Sequence, residues 1–262
     1  MWQRLRRVVP AHRQVQLRRA GQIMYSVRLQ ADDSLLLSYP KSGSSWVRNM
    51  LAVTIAGHEI PPSDLARWVP PLHLVSSRDP AVNVLRSHDP VHTPGFGRAG
   101  RIVVLARDPR ALAVSWAFHQ QQRGAVGYSV DDAATELVGH GYLALGSWQS
   151  HMRAAIDHAD QGRVTIVRYE DVVADPSDAL GLLCEQLRID TTAEVIDLAV
   201  ACNTPDALRE RLVKSGVEAE DQPISLVRNA VAESWRTECS DAVSERIVAA
   251  AASEMIAAGF RP

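Results

Sequence analysis

Ser38-Tyr39-Pro40-Lys41-Ser42-Gly43-Ser44-Ser45-Trp46 is the stretch whose reading decides the fold. The apolar run that enters it, residues 34–39, reads as a buried strand broken by Pro40. Residues 46–56 read as a helix ended by Gly57, with a tight turn at Gly43 between the two. Backbone N–H groups at such a helix start converge on an anion, and the helix dipole adds partial positive charge. Ser42, Ser44 and Ser45 bring hydroxyls, and Lys41 brings a full cation. Ser44 or Ser45 could instead simply cap the helix. Lysine usage favours a phosphate: of 28 basic residues only Lys41 and Lys214 are lysines, so a compact charge stands here against the chain's preference for arginine.

Working outward, short β-branched or Leu-rich runs at 82–85, 101–106 and 163–168 read as further strands. Helical periodicity lies between and after them, at 109–122, 148–159, 177–187, 192–199, 205–213 and 241–257. Alternating strands and helices predict an α/β fold, a three-layer P-loop-like domain with a central parallel sheet flanked by helices. The Pro-rich segment 60–80 is too long for a minimal connection, which points to function.

A chain of 262 residues that is 46% apolar can bury one large core. The expected division is a basic N-terminal arm over 1–30 and one domain over 31–262. The arm holds seven arginines (Arg4, Arg6, Arg7, Arg13, Arg18, Arg19, Arg28) and no acid, so the rest of the chain is acidic. Such an arm could make weak contact with an anionic membrane surface, or be a solvated or transit-like leader. A net charge of −2 gives no reason to expect nucleic acid as a partner. Cys184, Cys202 and Cys239 lie far apart, which suits a reducing, cytoplasmic setting and argues against a structural metal site. No apolar run approaches the ~20 residues of a membrane span.

A second phosphate site is expected in Arg101–Gln120, RIVVLARDPRALAVSWAFHQ. Its strand delivers Arg107 at the carboxyl end, and Ser115 falls two turns along the helix that starts at Pro109. Both can face the crevice where open α/β sheets bind ligands. Two phosphate sites imply a bisphosphorylated nucleotide. The blander alternative pairs Arg107 with Asp108 on the surface. A candidate chemical centre follows the second strand, Leu85-Arg86-Ser87-His88-Asp89-Pro90. His88 is the best general base there, and Arg86 and Lys41 supply positive charge where a leaving group would accumulate negative charge. His92 suggests a metal pair with His88, but Pro90 between them breaks a helix, so no metal is expected.

These motifs resemble those of the PAPS-dependent sulfotransferases of the cytosolic type, PAPS being 3′-phosphoadenosine 5′-phosphosulfate. The first loop is similar to that family's Tyr-Pro-Lys-Ser-Gly-Thr-Thr-Trp, with Ser44 and Ser45 replacing threonines. The resemblance implies that Lys41, with Ser42, Gly43, Ser44 and Ser45, holds the 5′-phosphosulfate and that Trp46 stacks on adenine. It implies that Arg107 and Ser115 hold the 3′-phosphate and that Tyr169, in Arg168-Tyr169-Glu170-Asp171, lies near the nucleotide. Gly146-Ser147-Trp148 with His151 also matches. Val227-Arg228-Asn229-Ala230 stands for the family's Arg-Lys-Gly loop, with Arg228 on the 3′-phosphate and Asn229 and Ala230 departing from the pattern. His88 takes the place of the catalytic histidine and Arg86 that of a lysine on the leaving group. PAPS is then the co-substrate, and a small-molecule, glycolipid or natural-product hydroxyl or amine the acceptor. Candidate acceptor walls are the Pro-rich segment with Trp68, Val69 and Leu72, the region 121–145 with Tyr128 and Tyr142, and the stretch 201–234; the alternative is that these residues are ordinary core, an equal expectation for Val69 and Leu72, and the oligomeric state is open. Two rivals stand beside this reading, a P-loop kinase-like phosphotransferase and an inert nucleotide-binding module.

Overall fold

The computed structural model describes residues 28–75, 83–215 and 232–262. Four strands form one parallel sheet: β1 (Ser34–Ser38), β2 (Val84–Ser87), β3 (Arg101–Ala106) and β4 (Thr165–Arg168), in the order β2-β1-β3-β4. All five residues of β1 are buried, as a central strand covered on both faces requires. The helices in chain order are α1 (Ser44–Ala56), α2 (Leu65–Trp68), α3 (Pro109–Gln122), α4 (Val130–Val138), α5 (Trp148–Ala159), α6 (Tyr169–Ala174), α7 (Pro176–Leu187), α8 (Ala193–Ala201), α9 (Pro205–Lys214), α10 (Trp235–Glu238) and α11 (Asp241–Ala257).

Side chains alternate across the strands and divide the interior into two cores. Leu35, Leu37, Leu85, Ile102 and Val104 pack with α3, α4, α5 and α11, around Trp116, Tyr142 and Trp148. Leu36, Val84, Val103 and Leu105 pack on the other face with α1, α7, α8 and α9. The result is the expected three-layer α/β architecture.

Two boundaries differ from the sequence reading. β2 runs from Val84 to Ser87, two residues later than expected, because the polar Arg86 still pairs with Leu36 and its N–H donates to the Pro70 carbonyl at 3.0 Å. Helices α2, α4, α6 and α10 were not anticipated. The first and last have only four residues, and α6 continues directly from β4 with no turn residue to announce it.

Candidate functional site

The chain leaves β1 through Tyr39 and Pro40 and turns sharply at two left-handed residues, Lys41 (φ 74°) and Gly43 (φ 87°). For lysine that conformation costs roughly 1–2 kcal/mol, which marks a position set by more than local preference. Gly43 is needed twice over. Its φ suits glycine, and a Cβ there would stand 2.3 Å from Cδ2 of Tyr169. Gly43 is also the N-cap of α1, and no side chain caps the helix. Ser44 and Ser45 are therefore its first two helical residues, not its cap. Their amides have no intrahelical acceptor, so an anion seat stays open. Ser42 is fully buried, and its hydroxyl has no hydrogen-bond partner among the described residues.

Arg107, at the end of β3, reaches this loop. Its Nη1 donates to the Lys41 carbonyl at 3.0 Å, and its guanidinium lies 4.3 Å from the centroid of the Tyr169 ring. Tyr169 in turn meets Trp46 edge-on at 6.1 Å. The Trp46 indole N–H donates to the Asn203 carbonyl at 2.7 Å, and its side chain is buried. Lys41, Gly43, Trp46, Arg107 and Tyr169 are thus one packed unit. Ser115 lies on α3, partly buried, two turns beyond Arg107. Arg107 makes no surface pair with Asp108: that carboxylate caps α3 through the Arg110 N–H and binds the Arg110 guanidinium at 2.7 Å, both groups buried. Asp108 is consumed as a structural group, which removes the metal-binding aspartate that the kinase reading needs.

Burial, with the nearby charge of Arg107, lowers the Lys41 ammonium to about 8. A site that strips water from a cation beside another cation is shaped for an anion.

His88 follows β2 directly and sits next to the start of this loop. Its Nδ1 lies 2.8 Å from the Ser38 carbonyl and 3.1 Å from the Ser38 hydroxyl. Its Nε2 lies 2.7 Å from Nη1 of Arg86. A guanidinium can only donate, so Nε2 is the acceptor and the ring proton rests on Nδ1, donated to Ser38. Burial, and after it the like charge of Arg86, pushes the imidazole down to about 3, so it is neutral.

His151 of α5 lies behind His88. Its Nε2 is 3.3 Å from the His88 carbonyl, its ring meets Tyr39 edge-on at 5.4 Å, and it is 1% exposed. The Gly146-Ser147-Trp148 segment explains this placement. Ser147 caps α5 and Trp148 is fully buried, which fixes the turn of helix that carries His151. Gly141 is required here as well, since a Cβ would stand 2.7 Å from the Tyr39 hydroxyl and closer still to the Gly146 carbonyl.

Several expectations need correction. Val69, Leu72 and Tyr142 have no exposed surface and belong to the cores, Tyr142 stacked on Trp116 at 4.3 Å, so they do not line an open pocket. Trp68 is partly exposed near His58, and Tyr128 is tied to Glu136 at 2.6 Å. Arg228 and Asn229, with most of the N-terminal arm, lie outside the described residues. The sequence reading also passed over Arg48, on the helix after the loop, and His119, one turn beyond Ser115. Burial and the charges of Lys41 and Arg123 push His119 down to about 4. Their signal was weak, because a single Arg or His on an amphipathic helix is ordinary. Among the described residues no helix is long and apolar enough to cross a membrane, and no group of three His, Cys, Asp or Glu could hold a metal ion.

Residues 31–259 match the sulfotransferase domain family. Among curated relatives, rat Sulfotransferase 2A6 is 22% identical over 89% of this chain and 87% of its own length. Rat Sulfotransferase 1C2 is 24% identical over 84% and 81%. Among solved structures, retinol dehydratase in complex with androsterone and PAP, the inactive cofactor, superposes with a TM-score of 0.68 at 15% identity, covering 91% of this chain and 84% of that one. A mouse sulfotransferase complexed with PAP gives 0.67 at 17% identity, covering 90% and 88%. A parallel sheet, a strand-to-helix turn closed by Gly43, and a family match spanning nearly the whole chain converge: the chain belongs to the sulfotransferase family.

Proposed function

We propose that this sulfotransferase takes its sulfuryl group from PAPS and passes it, by in-line displacement, to the hydroxyl or amine of a small-molecule, glycolipid or natural-product acceptor, with His88 as general base. The observation that carries the reading is the adjacency of two devices. An uncapped helix start with Lys41 is suited to a phosphate, and a neutral histidine is anchored through Nδ1 to the last residue of the strand that feeds that loop. The retinol dehydratase and mouse sulfotransferase structures hold PAP, which is PAPS without its sulfuryl group, and this supports the choice of donor.

In this reading Lys41, Ser42 and the amides of Ser44 and Ser45 hold the 5′-phosphosulfate, and Gly43 lets the backbone approach it. Arg107 and Ser115 hold the 3′-phosphate, joined by Arg228 and Asn229 from outside the described residues. Trp46 and Tyr169 face the adenosine. The donor supplies an electrophilic sulfur whose bond to the 5′-phosphate oxygen breaks as the bond to the acceptor forms. His88 removes the acceptor proton at Nε2, and Lys41 and Arg86 balance the charge on the departing phosphate.

The Arg86 hydrogen bond now occupies Nε2. An anionic donor competes for that guanidinium, which frees the lone pair for the acceptor. The charge on the base is thereby tied to the presence of donor. The first test is nucleotide choice. The chain should bind 3′,5′-adenosine bisphosphate tightly without metal and bind ATP with Mg²⁺ poorly; the reverse preference would favour the kinase-like reading. A screen with labelled PAPS over phenols, steroids, sugars and glycolipids then finds the acceptor class.

A further inference from the structure

Arg48 is not used by the nucleotide loop, yet it is held beside the chemical centre. It lies on α1, whose Val47, Met50 and Leu51 pack on the sheet face that carries Leu36 and Val84. Arg86 is two residues along β2 from Val84 and pairs with Leu36, so it belongs to the same face. The two arginines are tied to consecutive carbonyls: Arg48 Nε donates to Val69 O at 2.5 Å, and the Arg86 N–H donates to Pro70 O at 3.0 Å. Arg48 Nη2 and Arg86 Nε are buried and have no hydrogen-bond partner among the described residues, and no carboxylate there pairs with either guanidinium. Burial and mutual repulsion lower Arg48 to about 9, and burial lowers Arg86 to about 10. Two desolvated like charges with unused donors are unfavourable unless an anion joins them.

The position of this pair says which molecule carries the anion. The nucleotide loop follows β1 and Arg107 follows β3, so the donor's phosphates belong over those two strands. Arg86 lies in β2 itself, on the opposite side of β1, with its Nη1 2.7 Å from His88 Nε2, and Arg48 reaches the segment beside β2 through the Val69 carbonyl. We propose that Arg48 Nη2 and Arg86 Nε form an anion seat for the acceptor, which is therefore an alcohol or phenol that also bears a carboxylate, phosphate or sulfate, while the Arg86 Nη1 that bonds His88 is the part that meets the donor. The proposal rests on the reading of His88 as the residue facing the acceptor.

The test uses protein saturated with 3′,5′-adenosine bisphosphate and titrates two acids against their methyl esters, 4-hydroxyphenylacetate and a hydroxysteroid carboxylate. Wild type should bind at least one acid tenfold or more tightly than its ester. Arg48→Gln should lose that preference while keeping its bisphosphate affinity, and Arg48→Lys should regain part of it. No acid preference in wild type, or no binding of either acid, overturns the seat. So does an Arg48→Gln protein that loses affinity for PAPS but not for the acid, since the seat would then serve the donor's sulfuryl group. Should Arg48→Gln fail to fold, the acid-to-ester ratio of wild type still decides. Failure to bind the bisphosphate at all would contradict the donor reading instead, and is read separately on the same samples.

Discussion

Lys41 is the residue where sequence bias, backbone strain and charge agree. It is one of two lysines in the chain, it adopts a left-handed conformation, and burial beside Arg107 brings its ammonium to about 8. A phosphate against Lys41 favours the charged form and raises that value again. Affinity for the bisphosphate should therefore weaken as pH rises from 7 to 9, with about one proton taken up on binding above pH 8. Isothermal titration in buffers of different ionisation enthalpy measures this uptake. Lys41→Arg, which keeps its charge, should flatten the dependence, and a wild-type affinity unchanged from pH 7 to 9 would contradict it. The placement of Lys41 in the turn after β1 and of His88 directly after β2 was legible because each sits in a short run whose residue types mark a strand end. Arg48 and His119 were not. Their significance comes from the strand or loop they meet, and that is a tertiary fact.

At the scale of elements, the loop between β1 and α1 is shaped by a contact from the far end of the sheet. Tyr169 follows β4 and lies against Gly43, with Arg107 over its ring. Gly43→Ala should lower stability by roughly 1–3 kcal/mol, from the positive φ and the displaced ring. It should also weaken bisphosphate binding. Part of the cost should vanish when Tyr169→Ala is added, so that the double variant is less destabilised in urea than the two singles combined. Strict additivity would mean that the ring and the glycine do not constrain one another. Strands β1 and β3 and helices α1, α3, α5 and α11 could be read from periodicity and from their Pro and Gly boundaries. β2 could not be bounded, since its last residues, Arg86 and Ser87, are polar and are held in the sheet by partners remote in sequence. The short helix α6 is hidden for a related reason: Tyr169 and Val172 are buried by tertiary packing, not marked by a cap.

Over the whole molecule, two buried imidazoles tie folding to pH. His88 is held near 3 and faces Arg86, His151 and His73; His151 is held near 4 and faces His88, Asp89 and His92. Each would titrate near 6.5 in the unfolded chain. The unfolded state therefore binds more protons in acid, and stability present above pH 6.5 is lost as pH falls toward 4. Each group should remove on the order of 2 kcal/mol between pH 7 and pH 5 in the ligand-free protein. Urea unfolding at the two values, with His151→Asn as the comparison, reads this directly. An acid slope unchanged in that variant would remove His151 from the account.

The same architecture divides the labour across the sheet. In the proposed reading the nucleotide lies over β1 and β3, and the base and acceptor lie at β2, which the strand order β2-β1-β3-β4 sets apart. Grip and chemistry should therefore separate under mutation. The most direct measurement is transfer of labelled sulfur from PAPS by wild type and His88→Ala, run beside bisphosphate titrations of both proteins. The variant should lose about 10²–10⁴-fold in turnover while its bisphosphate affinity stays within about twofold of wild type. Turnover undiminished in His88→Ala, or a chain that binds the bisphosphate no better than adenosine, would contradict the central claim.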